Sequence, residues 1–172
     1  MKNLFLVAIT VVFIGAGCVE TSTPINNFAD CMMAGNSVME SYPRQCTANG
    51  VTYVDEIGNT LEKQNLIRVD APHPGSSSYI ASPTTITGSA RGTWFFEASF
   101  PIEIQDTNGN ILGQTHAQAT GDWMTEEFVP FTATLTFSAP AGVTEGVLYF
   151  RKDNPSGLPE HEDALYFPIQ LN

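Results

Sequence analysis

Basic residues are scarce. The 172-residue chain carries 7 Lys and Arg against 18 Asp and Glu, a formal net charge of -11. Nucleic-acid phosphates demand a basic patch, so this balance excludes nucleic acid as a partner and gives little attraction to anionic lipid headgroups. Helical periodicity is also missing: no amphipathic helix pattern follows Glu62. Catalytic groupings are absent as well. Ser76, Ser77, Ser78 and Ser156 have no strained-turn context or nearby base of the kind that Ser-His-acid chemistry requires. His73, His116 and His161 are scattered, without the paired spacing of a zinc site. The reading is of a protein that is not an enzyme and uses no cofactor or metal. Cysteine is limited to Cys18, Cys31 and Cys46.

What is present starts with Lys2 and an apolar stretch from Leu4 to Ile14, followed by Gly15, Ala16 and Gly17. This is the layout of a secretory signal peptide over residues 1–17. It is shorter than the roughly 20 apolar residues of a membrane-spanning helix. Cys18 after Gly-Ala-Gly resembles the lipobox of prokaryotic lipoproteins, with Gly15 standing where such boxes usually carry Leu. Lipidation of Cys18 is the expectation, with simple secretion or an uncleaved anchor as the alternatives. In each case the protein is exported, to the cell surface or the periplasmic face. Thiols outside the cytoplasm tend to pair. If Cys18 carries lipid, Cys31 and Cys46 remain as one disulfide, a loop whose closure contributes about 3 kcal/mol in the entropy model.

Residues 18–27 are polar and aperiodic and read as a tether. Residues 28–57 form a small two-cysteine module, in which Asn49-Gly50 between strand-forming residues signals a hairpin. The segment from Cys31 to Asn36 is either one helical turn or a loop. From residue 66 to 172 the period is two. In the stretch from Trp94 to Gln105 the even positions Trp94, Phe96, Phe100, Ile102 and Ile104 are apolar, which predicts one long half-buried strand. Val129 to Ser138 repeats the pattern on odd positions, and Leu165 to Leu171 does so again. Leu148 and Phe150 mark another strand, with Ile67-Val69, Ile86-Gly88-Ala90 and Ala117-Ala119 as weaker ones. About seven strands without helices fit an all-β, antiparallel sandwich. Asp106 to Asn110 supplies a hairpin turn. Pro101, Pro130 and Pro168 fall on outward positions and predict edge strands or bulges.

Gly92-Thr93-Trp94-Phe95-Phe96-Glu97-Ala98-Ser99-Phe100-Pro101, Asp122-Trp123-Met124, Phe128-Val129-Pro130-Phe131, Asp153-Asn154-Pro155-Ser156-Gly157 and Phe167-Pro168-Ile169 together resemble the bacterial spore germination immunoglobulin-like domain. The resemblance spans roughly Leu66 to Asn172 and implies an immunoglobulin-like β-sandwich that serves as an exported binding module. The inter-sheet cysteine pair of antibody domains is missing, so packing must hold the core, with Trp94 as its large buried residue.

The candidate sites are few. Trp123, Met124 and Phe128 lie between strands and either plug the end of the sandwich or form a partner-binding patch, the plug being favoured. Tyr42 and Arg44 in the cysteine loop are the second candidate, a small inhibitor or receptor-binding loop. There, Gly50-Val51-Thr52-Tyr53 faintly resembles Kazal-type inhibitors, which have more cysteines. Glu160-His161-Glu162-Asp163, with Asp153, reads as a solvated acidic loop rather than a calcium site. The expected partner is an envelope or extracellular protein or a glycan, with membrane association through the N-terminal lipid or anchor.

Overall fold

The structure, a computed structural model, describes residues 24–172. The expected signal peptide, Cys18 and most of the tether lie outside the described residues. The chain begins with α1 (Phe28–Met33), whose N-terminus is capped by the Asn27 side chain accepting from Asp30 N at 2.7 Å. The segment from Cys31 onward is thus the end of a helix that stops at Gly35, φ 78°. Three short strands follow, β1 (Val38–Met39), β2 (Gln45–Ala48) and β3 (Val51–Val54), hydrogen-bonded in that order. Asn49 and Gly50 both have positive φ, as the two-residue turn between β2 and β3 requires. Phe28, Cys31, Cys46 and Ala48 make a small core, and Cys31 and Cys46 are joined as a disulfide.

A one-turn helix, α2 (Thr60–Lys63), leads to eight strands: β4 (Ile67–Ala71), β5 (Tyr79–Ile80), β6 (Thr84–Arg91), β7 (Ser99–Gln105), β8 (Ile111–Ala119), β9 (Phe128–Leu135), β10 (Glu145–Arg151) and β11 (Ala164–Leu171). Their hydrogen-bonded order is β4-β6-β9-β8-β7-β10-β11-β5. β8 pairs with β7 along its length but with β9 at only two positions, Gln118↔Thr132 and Ala119↔Phe131. The sheet folds over at that corner. Phe131 of β9 therefore meets Phe100 of β7 and Phe150 of β10, strands that are not its neighbours, with ring centroids 5.0 and 6.4 Å apart. The result is an immunoglobulin-like β-sandwich with one continuous core. It has eight strands rather than about seven, because the two-residue β5 carries too little pattern to be read. β5 also runs parallel to β11, the one departure from antiparallel pairing among these strands.

The alternating faces of β9 and β11 are as the period predicts: Val129, Phe131, Ala133 and Leu135 are buried, as are Leu165, Phe167, Ile169 and Leu171. The long strand beginning at Trp94 is not. Gly92–Trp94 form a 3-10 turn, Trp94 and Phe95 are both buried, and Phe96 is 42% exposed. Glu97 and Ala98 have positive φ, and Phe96 and Ser99 exchange backbone hydrogen bonds of 3.0 Å across a tight turn. This stretch carries the chain from β6 in one layer to β7 in the other, and a crossing between layers breaks the two-residue period. Gly92 sits so close to the carbonyls of Trp123 and Thr125 that no Cβ fits there.

The three outward prolines lie in interior strands, contrary to the edge expectation. Each falls where one neighbour's ladder stops. The β7–β10 pairing ends at Ile102, next to Pro101. The β8–β9 pairing stops at Phe131, next to Pro130. β5 reaches only Gln170 and Leu171, short of Pro168. A missing N–H is tolerated at such positions because no acceptor faces it. The part of β11 that β5 leaves open is covered by Asn59. Its Nδ2 donates to Ala164 O at 2.9 Å, and its Oδ1 accepts from Tyr166 N at 2.8 Å.

Candidate functional site

The cysteine module is joined to the sandwich by a buried polar cluster. Asp55, one residue past β3, is 2% exposed. Its carboxylate accepts from Arg44 Nη2 at 2.8 Å, Arg44 Nε at 3.2 Å, Ser76 Oγ at 2.9 Å and Ser77 Oγ at 3.2 Å. Arg44 Nη2 also donates to Ser77 Oγ. Four donors on one buried carboxylate satisfy a charge that would otherwise be costly. Gly75, φ 151°, lets the loop before β5 approach closely, since a Cβ there would lie 2.7 Å from Asp55 Oδ2. Ser76 N donates to Glu56 O at 2.9 Å. Two of the four candidate serines, Ser76 and Ser77, are thus bonded to Asp55, with Ser77 also contacting Arg44, whereas Ser156 bonds Asn154 Oδ1 at 2.6 Å in a distant loop.

This joint fixes a groove of about 660 Å³ between the two units. One wall is α1 and its approach, with Asn26, Asp30 and Met33, and the exposed strand β3 with Thr52 and Val54. The other side is the outer surface of β10 and β11 with Glu145, Val147, Pro168 and Gln170, together with Tyr79 of β5. Tyr79 and Val54 are each 49% exposed and Met33 is 66% exposed. The sequence did not reveal this groove. Alternation marked Val147, Pro168 and Gln170 as outward residues, but no sequence signal places α1 and β3 in front of them.

The sequence-level candidates lie elsewhere. Trp123 is partly buried and packs against the main core, as a plug would. Phe128 is held between the guanidinium groups of Arg68 and Arg91, which lie 4.1 and 4.2 Å from its ring centroid. Met124 alone of the three stands out, 77% exposed. In the cysteine loop, Arg44 turns inward to Asp55 and lies over the Phe28 ring at 5.2 Å. Tyr42 is 47% exposed and meets the His73 ring edge-on at 6.2 Å. Partial burial raises its phenol above the ordinary value.

In the acidic loop, Asp163 is paired with Lys63 at 2.5 Å, and His161 Nδ1 lies 3.1 Å from Ser156 Oγ. Asp106 accepts from the backbone N–H groups of Asn108 and Asn110 at 2.9 and 2.8 Å, and from Asn110 Nδ2 at 2.8 Å. These bonds, led by the Asn110 side chain, hold its carboxyl below the usual range. They account for the hairpin turn read from Asp106 to Asn110. Among the described residues, no three His, Cys, Asp or Glu side chains converge as metal ligands. No helix among them is long and apolar enough to cross a membrane.

No curated protein and no solved structure shows significant similarity to the chain. Residues 66–157 match the model of the immunoglobulin-like domain of bacterial spore germination. The match runs from just before β4 to the turn after β10, so β11 lies beyond it although it completes the core. With just over half of its length matched and the sandwich formed around that segment, the chain belongs to the family of the immunoglobulin-like domain of bacterial spore germination.

Proposed function

We propose that this is an exported, membrane-tethered binding protein without enzymatic activity, which takes its ligand in the groove between the cysteine module and the outer face of β10 and β11. The observation that carries this reading is the groove with walls from both units, held open by the Arg44–Asp55–Ser77 cluster. Ligand sites concentrate in clefts between packed units, where side chains of independent origin converge. A loop role for Tyr42 and Arg44 would require Arg44 to abandon the buried carboxylate of Asp55, so the groove is preferred.

Ala29 lines the groove, and Ala29→Trp would place a bulky ring at its wall and obstruct it. The mature chain should retain a partner from envelope extract, and the Ala29→Trp chain should lose it. Undiminished retention by the Trp variant would remove the groove from the reading. The tether rests on Cys18 at the Gly-Ala-Gly-Cys end of the apolar run. In a host with lipoprotein signal peptidase, the protein should partition into detergent with a diacylglyceryl mass on its N-terminal peptide. A soluble product beginning after Cys18 would sink the tether.

A further inference from the structure

Building on the groove reading, we infer that its ligand is an extended, cationic polypeptide segment that adds as a strand to the free edge of β3. β3 is the outer strand of its sheet. Asp55 N donates to Arg44 O at 2.9 Å, so residues 51, 53 and 55 turn their backbone groups toward β2. By the alternation of antiparallel pairing, Thr52 and Val54 then present their N–H and C=O groups on the open side, and both residues line the groove. Natural edges are commonly blunted by Lys, Pro or a bulge. This one carries Val51, Thr52, Tyr53 and Val54, all strand-forming, and none of those devices. A four-residue strand spans about 13 Å, enough to seat a short extended segment. Strand addition to an exposed edge is a general way of binding a peptide through its main chain.

The charge around the edge selects the occupant. Asp30, Glu56 and Glu145 line the groove, and no Lys, Arg or His does among the described residues. Glu56 and Glu145 are exposed and have no ion-pair partner among the described residues. A second copy of the chain would bring a net charge of -11 and the same three carboxylates against this edge, which disfavours self-pairing. A segment with Lys or Arg on alternate positions would meet the carboxylates on one face, while its backbone completes the hydrogen bonds of Thr52 and Val54.

The probe is a capped octapeptide of alternating Lys and Thr, titrated by calorimetry into the full mature chain alongside its Glu-Thr counterpart. The Lys peptide should bind, and more weakly as salt is raised. The Glu peptide should not bind. Glu56→Lys with Glu145→Lys should weaken binding by about tenfold or more. Val54→Pro, which removes an outward N–H and leaves the β2 ladder intact, should weaken it by about tenfold, comparable to one or two lost hydrogen bonds. No binding of the Lys peptide, equal binding of both peptides, or undiminished binding by the charge-reversed chain would overturn the inference. So would a wild-type dimer that Val54→Pro dissociates, because the edge would then belong to a second copy. If the Lys peptide fails while Ala29→Trp still abolishes capture of an envelope partner, the groove reading stands and the cationic-strand inference alone falls.

Discussion

The cysteine module and the sandwich hold themselves together by different means. The module buries four residues in its own core and closes them with one disulfide. The sandwich buries 22 residues in one continuous cluster and contains no disulfide. A small unit exposes too much surface for burial alone to offset chain entropy, so a crosslink and a docking partner take over. The larger unit has enough interior to rely on packing. The joint at Asp55 belongs to neither core, and it is where the weaker unit borrows rigidity from the stronger one.

The sharpest way to break the comparison is at the sandwich core. Phe100 is fully buried, with edge-on contacts to Phe95 and Phe131 at 5.1 and 5.0 Å. Phe100→Ala should cost about 3 to 5 kcal/mol in a urea melt, a large part of a domain's stability, and leave the module's disulfide intact. At the joint, Arg44→Ala strips the buried Asp55 carboxylate of its ion-pair partner and should cost about 3 kcal/mol. Hydrogen exchange should rise in β3 and in residues 75–78 while the amides of β7 and β10 stay protected. Removing the disulfide by Cys31→Ala with Cys46→Ala should cost the module about 3 kcal/mol. Near-ultraviolet signals from Trp94 in the sandwich should persist, and their loss would show that the two units unfold as one.

A smaller effect is expected at the β7–β8 hairpin. The Asp106 carboxylate is held below the usual range in the folded chain, so its ionised form stabilises the fold above the unfolded value and that stabilisation disappears as pH falls through the depressed one. Asp106→Asn should flatten the acid limb of the stability profile, and an unchanged limb would place the acid sensitivity elsewhere. The smallest change is expected at the exposed Glu97, where Glu97→Ala should shift stability by about 0.5 kcal/mol or less. Glu103 on the neighbouring strand is a different case from the plain solvent-facing residue that alternation implies, because it is paired with Arg151.

How far the sequence could be read depended on the range of the interactions involved. Alternation identifies the inward residues of β9 and β11 because side-chain direction along a strand is a local property. The Asn49-Gly50 turn and the hairpin at Asp106 are legible for the same reason. Phe95 and Phe96 exchange roles because the chain crosses from one layer to the other between β6 and β7, and nothing within the stretch itself reports that crossing. The groove was not legible at all: Val54, Tyr79 and Glu145 are far apart in the chain and carry no shared motif.

By itself, the sequence determined an all-β C-terminal region, the Asn-Gly hairpin, the faces of most long strands and the resemblance that the family match bears out. These follow from backbone preference and a two-residue period, which act over a few neighbours. Tertiary structure alone decided that β8 turns the corner between layers, that β5 pairs parallel to β11, that Arg44 is turned inward, and that a free strand edge faces the outer surface of β10 and β11. Those outcomes depend on contacts between residues distant in the chain, whose strength is set by burial and geometry rather than by local pattern.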